Sequence, residues 1–502
     1  MKIIFCAIIL IASLCAQPIP FDIEIEELTF HSEIPALHSF SLAEHKDEWL
    51  VVGGLTDGTH GDGEQVFATG QFPRRNFNKS LWVISPKSGS VHSVKVPQNL
   101  SASLNVANAQ HYQVGSNLYI VGGYGLNEKN KYDTMGVITC INVPLIMEAI
   151  KKKQSITKHI WQVSDERFRV TGGELKHIDG DFFLVAGQKF IGKYMGNEKQ
   201  QYTFEIRRFQ VDHDSKQIKN YQAIGDDSLY IRESNRVTTL ANKKRFRHDL
   251  SRIVRPEISK TVELHKRLFD KERAGGGNDK DSHLRRRDLN VTEAVFPDGT
   301  RGFTLYGGGF QYSAILPSMH QSPIFFTPQK NFANCHAMID MSFEQTMSLY
   351  TCAHMILFDS QKASLHTVMF GGISAHVYDE RNDEVVRDRM LPYVNNISVE
   401  TISGNKSPQS WQSKETIVKK DSRAQTFGKD GFFGTNAKFI LNSMGRQAVY
   451  QGCDEVMDIQ KLQQLTADSI TVGYIYGGIQ ALKQNFGKTK ACNKIFAVRL
   501  KK

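Results

Sequence analysis

The hydrophobic pattern of the chain repeats a short apolar run that stops at a pair of small residues. The run reads Trp49-Leu-Val-Val-Gly-Gly54, Leu118-Tyr-Ile-Val-Gly-Gly123, Phe183-Leu-Val-Ala-Gly187, Phe303-Thr-Leu-Tyr-Gly-Gly308, Thr367-Val-Met-Phe-Gly-Gly372 and Tyr474-Ile-Tyr-Gly-Gly478. Most copies follow another strand-like stretch, and a polar turn separates the two. The turns are His45-Lys-Asp47, Gly115-Ser-Asn117, Asp179-Gly-Asp181, Pro297-Asp-Gly-Thr300 and Asp359-Ser-Gln-Lys362. Asp, Asn, Gly and Pro supply the backbone angles that tight hairpins need. Around the second copy the grammar is complete. Strand-like runs at 104–114, 118–121, 133–141 and 159–163 are parted by polar segments. Four antiparallel strands per unit and six units predict an all-β repeat architecture.

A second mark recurs on the third strands. Asn78-Lys-Ser-Leu-Trp-Val83 and Asn493-Lys-Ile-Phe-Ala-Val498 share an Asn followed by an apolar-aromatic core. With the glycine pair and the polar loop after it, the chain resembles the kelch repeat family of β-propellers, within the superfamily that includes galactose oxidase. The resemblance implies a six-bladed propeller of four-stranded blades. It departs at Ala186-Gly187 and in a ragged fourth unit. Two intervals, 187 to 308 and 372 to 478, are longer than the others and leave room for a seventh unit; six is the count favoured here. After Gly478 one more strand remains, Lys494 to Leu500, so the last unit lacks an outer strand. The N-terminal run Phe21–Phe30 is a spare strand, and pairing the two removes an open edge.

Met1 to Ala16 reads as a secretory signal: one Lys, a short apolar run and small residues before an expected cut after Ala16. The run is too short to span a bilayer. The mature chain, 17–502, is then one exported domain, extracellular or periplasmic, with no membrane span and no indicated partner copy; a monomer is expected. Five cysteines remain (Cys140, Cys335, Cys352, Cys453 and Cys492), an odd number. Cys335–Cys352 and Cys453–Cys492 bridges and buried thiols are both open readings. Five Asn-x-Ser/Thr sites stand at Asn78, Asn99, Asn290, Asn396 and Asn405. The net charge of +10 is concentrated: Lys243–Arg287 carries 15 Lys/Arg against 7 Asp/Glu. This basic insert, at about 225–286, reads as a solvated loop. Without it the chain is near neutral, which argues against nucleic-acid binding.

Polar residues at the starts of the first strands, and loops over the same end, are where a propeller places a binding site. The candidates are Arg287 and Asp288, the related insert pair Arg247 and Asp249, Glu174, His354, Asn436, and the loop residues Asp57 and His60. Arg offers two parallel donors to a carboxylate, and Asp accepts from hydroxyls. The same Arg-Asp pairs can equally staple one unit to the next. Tyr350, Cys352 and His354 share one face by alternation and match the residue types of the copper site in galactose oxidase, yet the motif cannot be mapped position by position; no metal or cofactor is expected. The leading expectation is a binding protein for a glycan or another extracellular ligand. The alternatives are a sugar epimerase or mutarotase using Asp288 or Glu174 as acid and base, and an extracellular protein–protein scaffold.

Overall fold

The computed structural model describes residues 18–59, 72–193, 199–232, 282–311, 318–332, 334–418, 430–485 and 488–502. The expected signal at 1–16 and the candidates His60, Arg247 and Asp249 lie outside these. The described chain is all-β; six sheets of four or five strands follow one another in sequence, and one three-stranded and four two-stranded sheets accompany them. The first contains Ser41–His45, Glu48–Val52, Ser80–Ile84 and Val91–Lys95, paired in that order. The second contains Gln110–Val114, Asn117–Val121, Val137–Asn142 and Ile160–Ser164. The third contains Glu174–Ile178, Asp181–Val185, Ile206–Asp212 and Gln217–Ile224. All three are antiparallel meanders.

The fourth and fifth sheets each gain a fifth, parallel strand. In the fourth, Asn290–Val295, Arg301–Tyr306, Ile324–Phe326 and Ala337–Asp340 are joined at the far edge by Leu229–Arg232. The start of the expected basic insert is thus an edge strand, not a loop. In the fifth, Ala353–Asp359, Ser364–Ile373, Tyr393–Ser403 and Gln412–Ile417 are joined at the inner edge by Val456–Asp458. The sixth sheet runs Lys438–Leu441, Ser469–Tyr476, Ile495–Lys501 and finally Asp22–Leu28. The N-terminal strand pairs antiparallel with the C-terminal one over seven positions, from Asp22 opposite Lys501 to Leu28 opposite Ile495. This is the pairing the spare strand predicts.

The core lies between sheets, one apolar layer for each consecutive pair. Leu50 and Leu81 meet Leu118 and Ile120 between the first two. Tyr119 and Val121 meet Phe182 and Leu184. Phe183 meets Phe303 and Phe326, Phe325 meets Ile356 and Trp411, and Val368 meets Val472 and Phe496. A sixth layer sets Trp49 and Val51 of the first sheet against Tyr474 and Tyr476 of the last. The rings of Trp49 and Tyr476 stack at 5.6 Å.

The small-residue pairs explain themselves in this packing. Each second member donates its N–H to the chain entering the next sheet: Gly54 to Val106, Gly123 to Val170, Gly187 to Arg286, Gly308 to Leu349, Gly372 to Phe433, and Gly478 back to Leu37. The distances run from 2.8 to 3.1 Å. At Gly122, φ is +66° and a Cβ would stand 2.0 Å from the Val170 carbonyl oxygen. Only glycine combines that angle with that approach. Ala186 holds the same place with φ of 53°.

Three sequence expectations change. In the second unit, Tyr132–Thr134 does not extend the third strand; it pairs with Tyr124–Leu126 as a separate hairpin over the loop end. The helix Val143–Lys151, unforeseen, is capped by the Asn142 side chain and buries Ile146, Met147 and Ile150 against the first two sheets. All five described cysteines are free thiols, so the Cys335–Cys352 and Cys453–Cys492 bridges are not made. Four of the five thiols are buried, in separate apolar layers or loops.

Candidate functional site

The six first strands adjoin one another, and their leading residues converge. Just before these strands stand Ser39, Asn108, Gly172, Asp288, Thr351 and Asn436. Backbone hydrogen bonds chain them together: Asn436 N–H to Thr351, Thr351 to Asp288, Asp288 to Gly172, Gly172 to Asn108, and Asn108 to Ser39, at 2.7–3.1 Å. Five of the six carry φ between 52° and 69°. Short polar residues and Gly tolerate that region, which is why these types recur here. Asp288 and Asn436 were legible as candidates. Ser39, Asn108 and Gly172 were not, although they stand at one common spacing before their glycine pairs.

These residues surround a narrow cavity of about 20 Å³, also lined by Glu174 and Lys438. Asp288 accepts from the Asn108 side-chain amide at 2.9 Å. Burial pushes its carboxyl up, against the pull of the Arg287 charge and of bonds from Tyr350 and Asn108. Lys438 Nζ lies 3.7 Å from Glu174. A water needs at least roughly 10–15 Å³ of such space, so the cavity admits about one water and no sugar ring. Arg287 does not line it. It is buried at the junction of the third and fourth sheets, donates to Gln188 at 3.1 Å, and lies 3.8 Å from Asp288.

Charged side chains gather farther along the first strands. His354 bonds the Cys352 carbonyl through Nδ1 at 3.1 Å, and burial brings its pKa down to about 4. Next to it, Lys176 and Glu455 pair at 2.6 Å. Glu455 belongs to a segment between the first two strands of the sixth sheet that crosses to every other sheet. Arg446 pairs with Glu44 of the first at 2.7 Å, Asp454 accepts from Tyr112 of the second at 3.1 Å, and Glu455 holds Lys176 of the third. Glu293 of the fourth accepts from the backbone N–H of Asp454 and Glu455 at 2.9 and 2.7 Å. Val456–Asp458 pairs with the fifth. The segment contacts the turn end of the sheets, opposite the glycine pairs. It accounts for part of the long interval before Gly478, and no four-stranded seventh sheet occurs among the described residues.

The roomy concavity lies elsewhere, on the loop end. Loops that follow the small-residue pairs of the first three sheets border an open concavity of about 810 Å³. Its walls include Arg74, Arg75, Asn127, Asn130, Lys131, Tyr132 and Lys193. The Tyr132 ring is fixed by its hydroxyl, which donates to the Phe72 carbonyl at 2.8 Å, and by stacking on Tyr124 at 5.9 Å. Arg74 donates to the Asn130 carbonyl at 3.0 Å. No sequence motif marked this groove, because its residues come from three separate loops.

Asp57 belongs to neither place. It accepts from Asn76 at 2.7 Å and lies 4.0 Å from His38, tying down its own loop. The Tyr350-Cys352-His354 idea also dissolves: the strand begins at Ala353, and Cys352 is packed with Tyr306 and Met369. Among the described residues no three His, Cys, Asp or Glu side chains gather as a metal site, and no helix is long and apolar enough to cross a membrane. Comparison with models of known protein families and with the curated proteins found no match for this chain.

Proposed function

We propose that this chain is a secreted, six-bladed kelch-type β-propeller that binds an extracellular glycan through the loop-lined groove. Six apolar layers and six equivalent Gly N–H bonds, the last returning to Leu37, support the closed ring. The observation that carries the binding reading is the groove. It joins the half-buried Tyr132 ring to the exposed Asn130 in one open concavity of about 810 Å³. An aromatic face covers the apolar side of a sugar ring, and amides meet its hydroxyls. The epimerase reading is weaker, since Asp288 and Glu174 open onto space for about one water. The test is a glycan array probed with wild type and Tyr132→Ala. Binding that falls about tenfold or more in the variant, with unchanged unfolding, supports the groove. Undiminished binding refutes it.

One observation favours a second reading, a protein scaffold. The hairpin His376–Asp379/Glu384–Arg387 follows the glycine pair of the fifth sheet and exposes Val385 and Val386. Array silence together with a partner lost on Val385→Lys/Val386→Lys favours this alternative.

A further inference from the structure

A group of polar side chains interrupts the apolar layer between the fourth and fifth sheets. Alternation along the strands sets their direction. Leu305 belongs to the layer between the third and fourth sheets, so Thr304 and Tyr306 face the fifth. Val368 and Val399 belong to the layer between the fifth and sixth, so Thr367, Ser398 and Glu400 face the fourth. Glu400 stands directly opposite Thr367 on one side and Glu415 on the other. The Tyr306 ring packs on Met369, which stands opposite Ser398. Glu400, Tyr306, Thr304, Thr367 and Ser398 are each at most 2 % exposed. Neither carboxyl oxygen of Glu400 and none of those four hydroxyls has a hydrogen-bond partner among the described residues. Burial, and then the neighbouring Glu415, push the Glu400 carboxyl up. Burial, and then the Glu400 charge, push the Tyr306 hydroxyl up, while the neighbouring Thr367 and Thr304 pull the other way. These groups act on one another across gaps that direct hydrogen bonds do not close.

Carboxylates directly opposite on a sheet repel each other, and a buried one needs a counter-charge. Among the described residues no Lys, Arg or His pairs with Glu400 or Glu415. Glu415 is held in place by donors: its Oε2 accepts from the Thr346 N–H at 2.9 Å and from the Thr346 hydroxyl, and its Oε1 from the Met347 N–H at 2.8 Å. One shared proton would remove one charge and leave the four hydroxyls unmatched. A water would meet hydroxyls and leave both charges. A cation answers both demands. Every atom offered to it is oxygen, the donor set of hard cations. Calcium takes about six to eight oxygens in adaptable geometry, whereas magnesium demands a near-ideal octahedron. We propose that this cluster takes a calcium ion between the fourth and fifth sheets, with Glu400 and Glu415 as the charged ligands and neutral oxygens drawn from Tyr306, Thr304, Thr367 and Ser398. Glu415, half-buried on the outer strand of its sheet, is the open end of the cluster, where the ion enters.

The test strips the whole chain with a chelator and titrates it with calcium chloride, with magnesium chloride for comparison. Calorimetry reads affinity, metal analysis after dialysis reads the ions retained per chain, and urea unfolding reads stability. Wild type, Glu400→Gln, Tyr306→Phe and Ser398→Ala are measured. Calcium should bind the wild type, more tightly than magnesium, and raise its unfolding midpoint. Glu400→Gln should retain about one ion fewer per chain and lose the calcium-dependent rise. It should unfold no earlier than wild type in chelator, because the buried repulsion is gone. Tyr306→Phe should bind calcium at least about tenfold more weakly. Calcium that leaves the wild-type midpoint unchanged, or that binds Glu400→Gln as it binds wild type, overturns the site. A wild-type midpoint that ignores calcium and rises as pH falls gives the pair a shared proton instead, and also overturns it. If Glu400→Gln does not fold, the other two variants decide: calcium affinity unchanged in both Tyr306→Phe and Ser398→Ala overturns the proposal.

Discussion

The N-terminal strand offers the sharpest test of how the sixth sheet is held. Ile23 and Ile25 point into the layer between the fifth and sixth sheets, among Val472, Phe496 and Val498, and both are nearly inaccessible to solvent. Truncating a buried Ile to Ala costs about 2–5 kcal/mol, from lost transfer energy and the cavity left behind. Ile23→Ala/Ile25→Ala is therefore expected to cost about 4–10 kcal/mol, with the upper end reduced because the two cavities adjoin. Folded proteins typically hold about 5–15 kcal/mol in total. The double variant should lose most of its stability. Glu26→Ala, on the exposed face of the same strand, should stay within about 0.5 kcal/mol of wild type. Urea unfolding followed by tryptophan fluorescence is the assay. Trp49 reports directly, since it packs where the first and last sheets meet. Deleting the chain through Ser32 should be worse still, because it also bares the edge of Ile495–Lys501. The reasoning is refuted if the double variant shifts the midpoint no more than Glu26→Ala, or if the truncated chain unfolds like wild type.

Other expectations are independent of that strand. Gly122→Ala should cost several kcal/mol, because its Cβ meets the Val170 oxygen at 2.0 Å, while Ala186→Gly should cost nothing or gain up to about 1 kcal/mol by relieving positive φ; equal effects in thermal melts would contradict the shared geometry. Asn78→Ala should destabilise by about 2–3 kcal/mol, since the side chain donates to Gly53 and Ser80 carbonyls and accepts from Ser80 N–H and Trp82 Nε1; a change under about 0.5 kcal/mol in urea melts would show those bonds to be replaceable by water. Burial, with the neighbouring Glu455, pushes the Glu293 carboxyl up to about 7 from the usual 4.5. Between these pH values the unfolded chain releases a proton that the folded chain keeps, so stability falls as pH rises through this window and then levels. Glu293→Gln keeps an acceptor for the two backbone donors and removes the penalty. It should gain about 1–3 kcal/mol over wild type at pH 8 and none at pH 4.5; an equal difference at both pH values would place the effect outside ionisation.

The first two strands of most sheets, the turns between them and the spare N-terminal strand were legible in the chain. Apolar runs such as Leu118–Val121 bury both faces between two sheets, so they read as continuous, and the glycine pairs mark where each sheet meets the next. Asp288 and Asn436 were legible as polar residues at the openings of first strands; their positive φ appeared only in the structure. What followed was decided by packing. Arg287 stands beside Asp288 in sequence, but its side chain turns into the junction with Gln188 and leaves the cavity. The crossing segment from Arg446 to Asp458 gains its partners from five sheets, up to hundreds of residues away, and nothing in its own pattern announces them. The groove is a product of assembly in the same way. Arg74, Lys131 and Lys193 are ordinary loop cations along the chain, and they line one concavity only because three consecutive sheets bring their loop ends together. Periodicity encodes which face of a strand is buried, since that depends on neighbours one or two residues away. It cannot encode a site whose members are joined only through space, and there the tertiary structure alone decides.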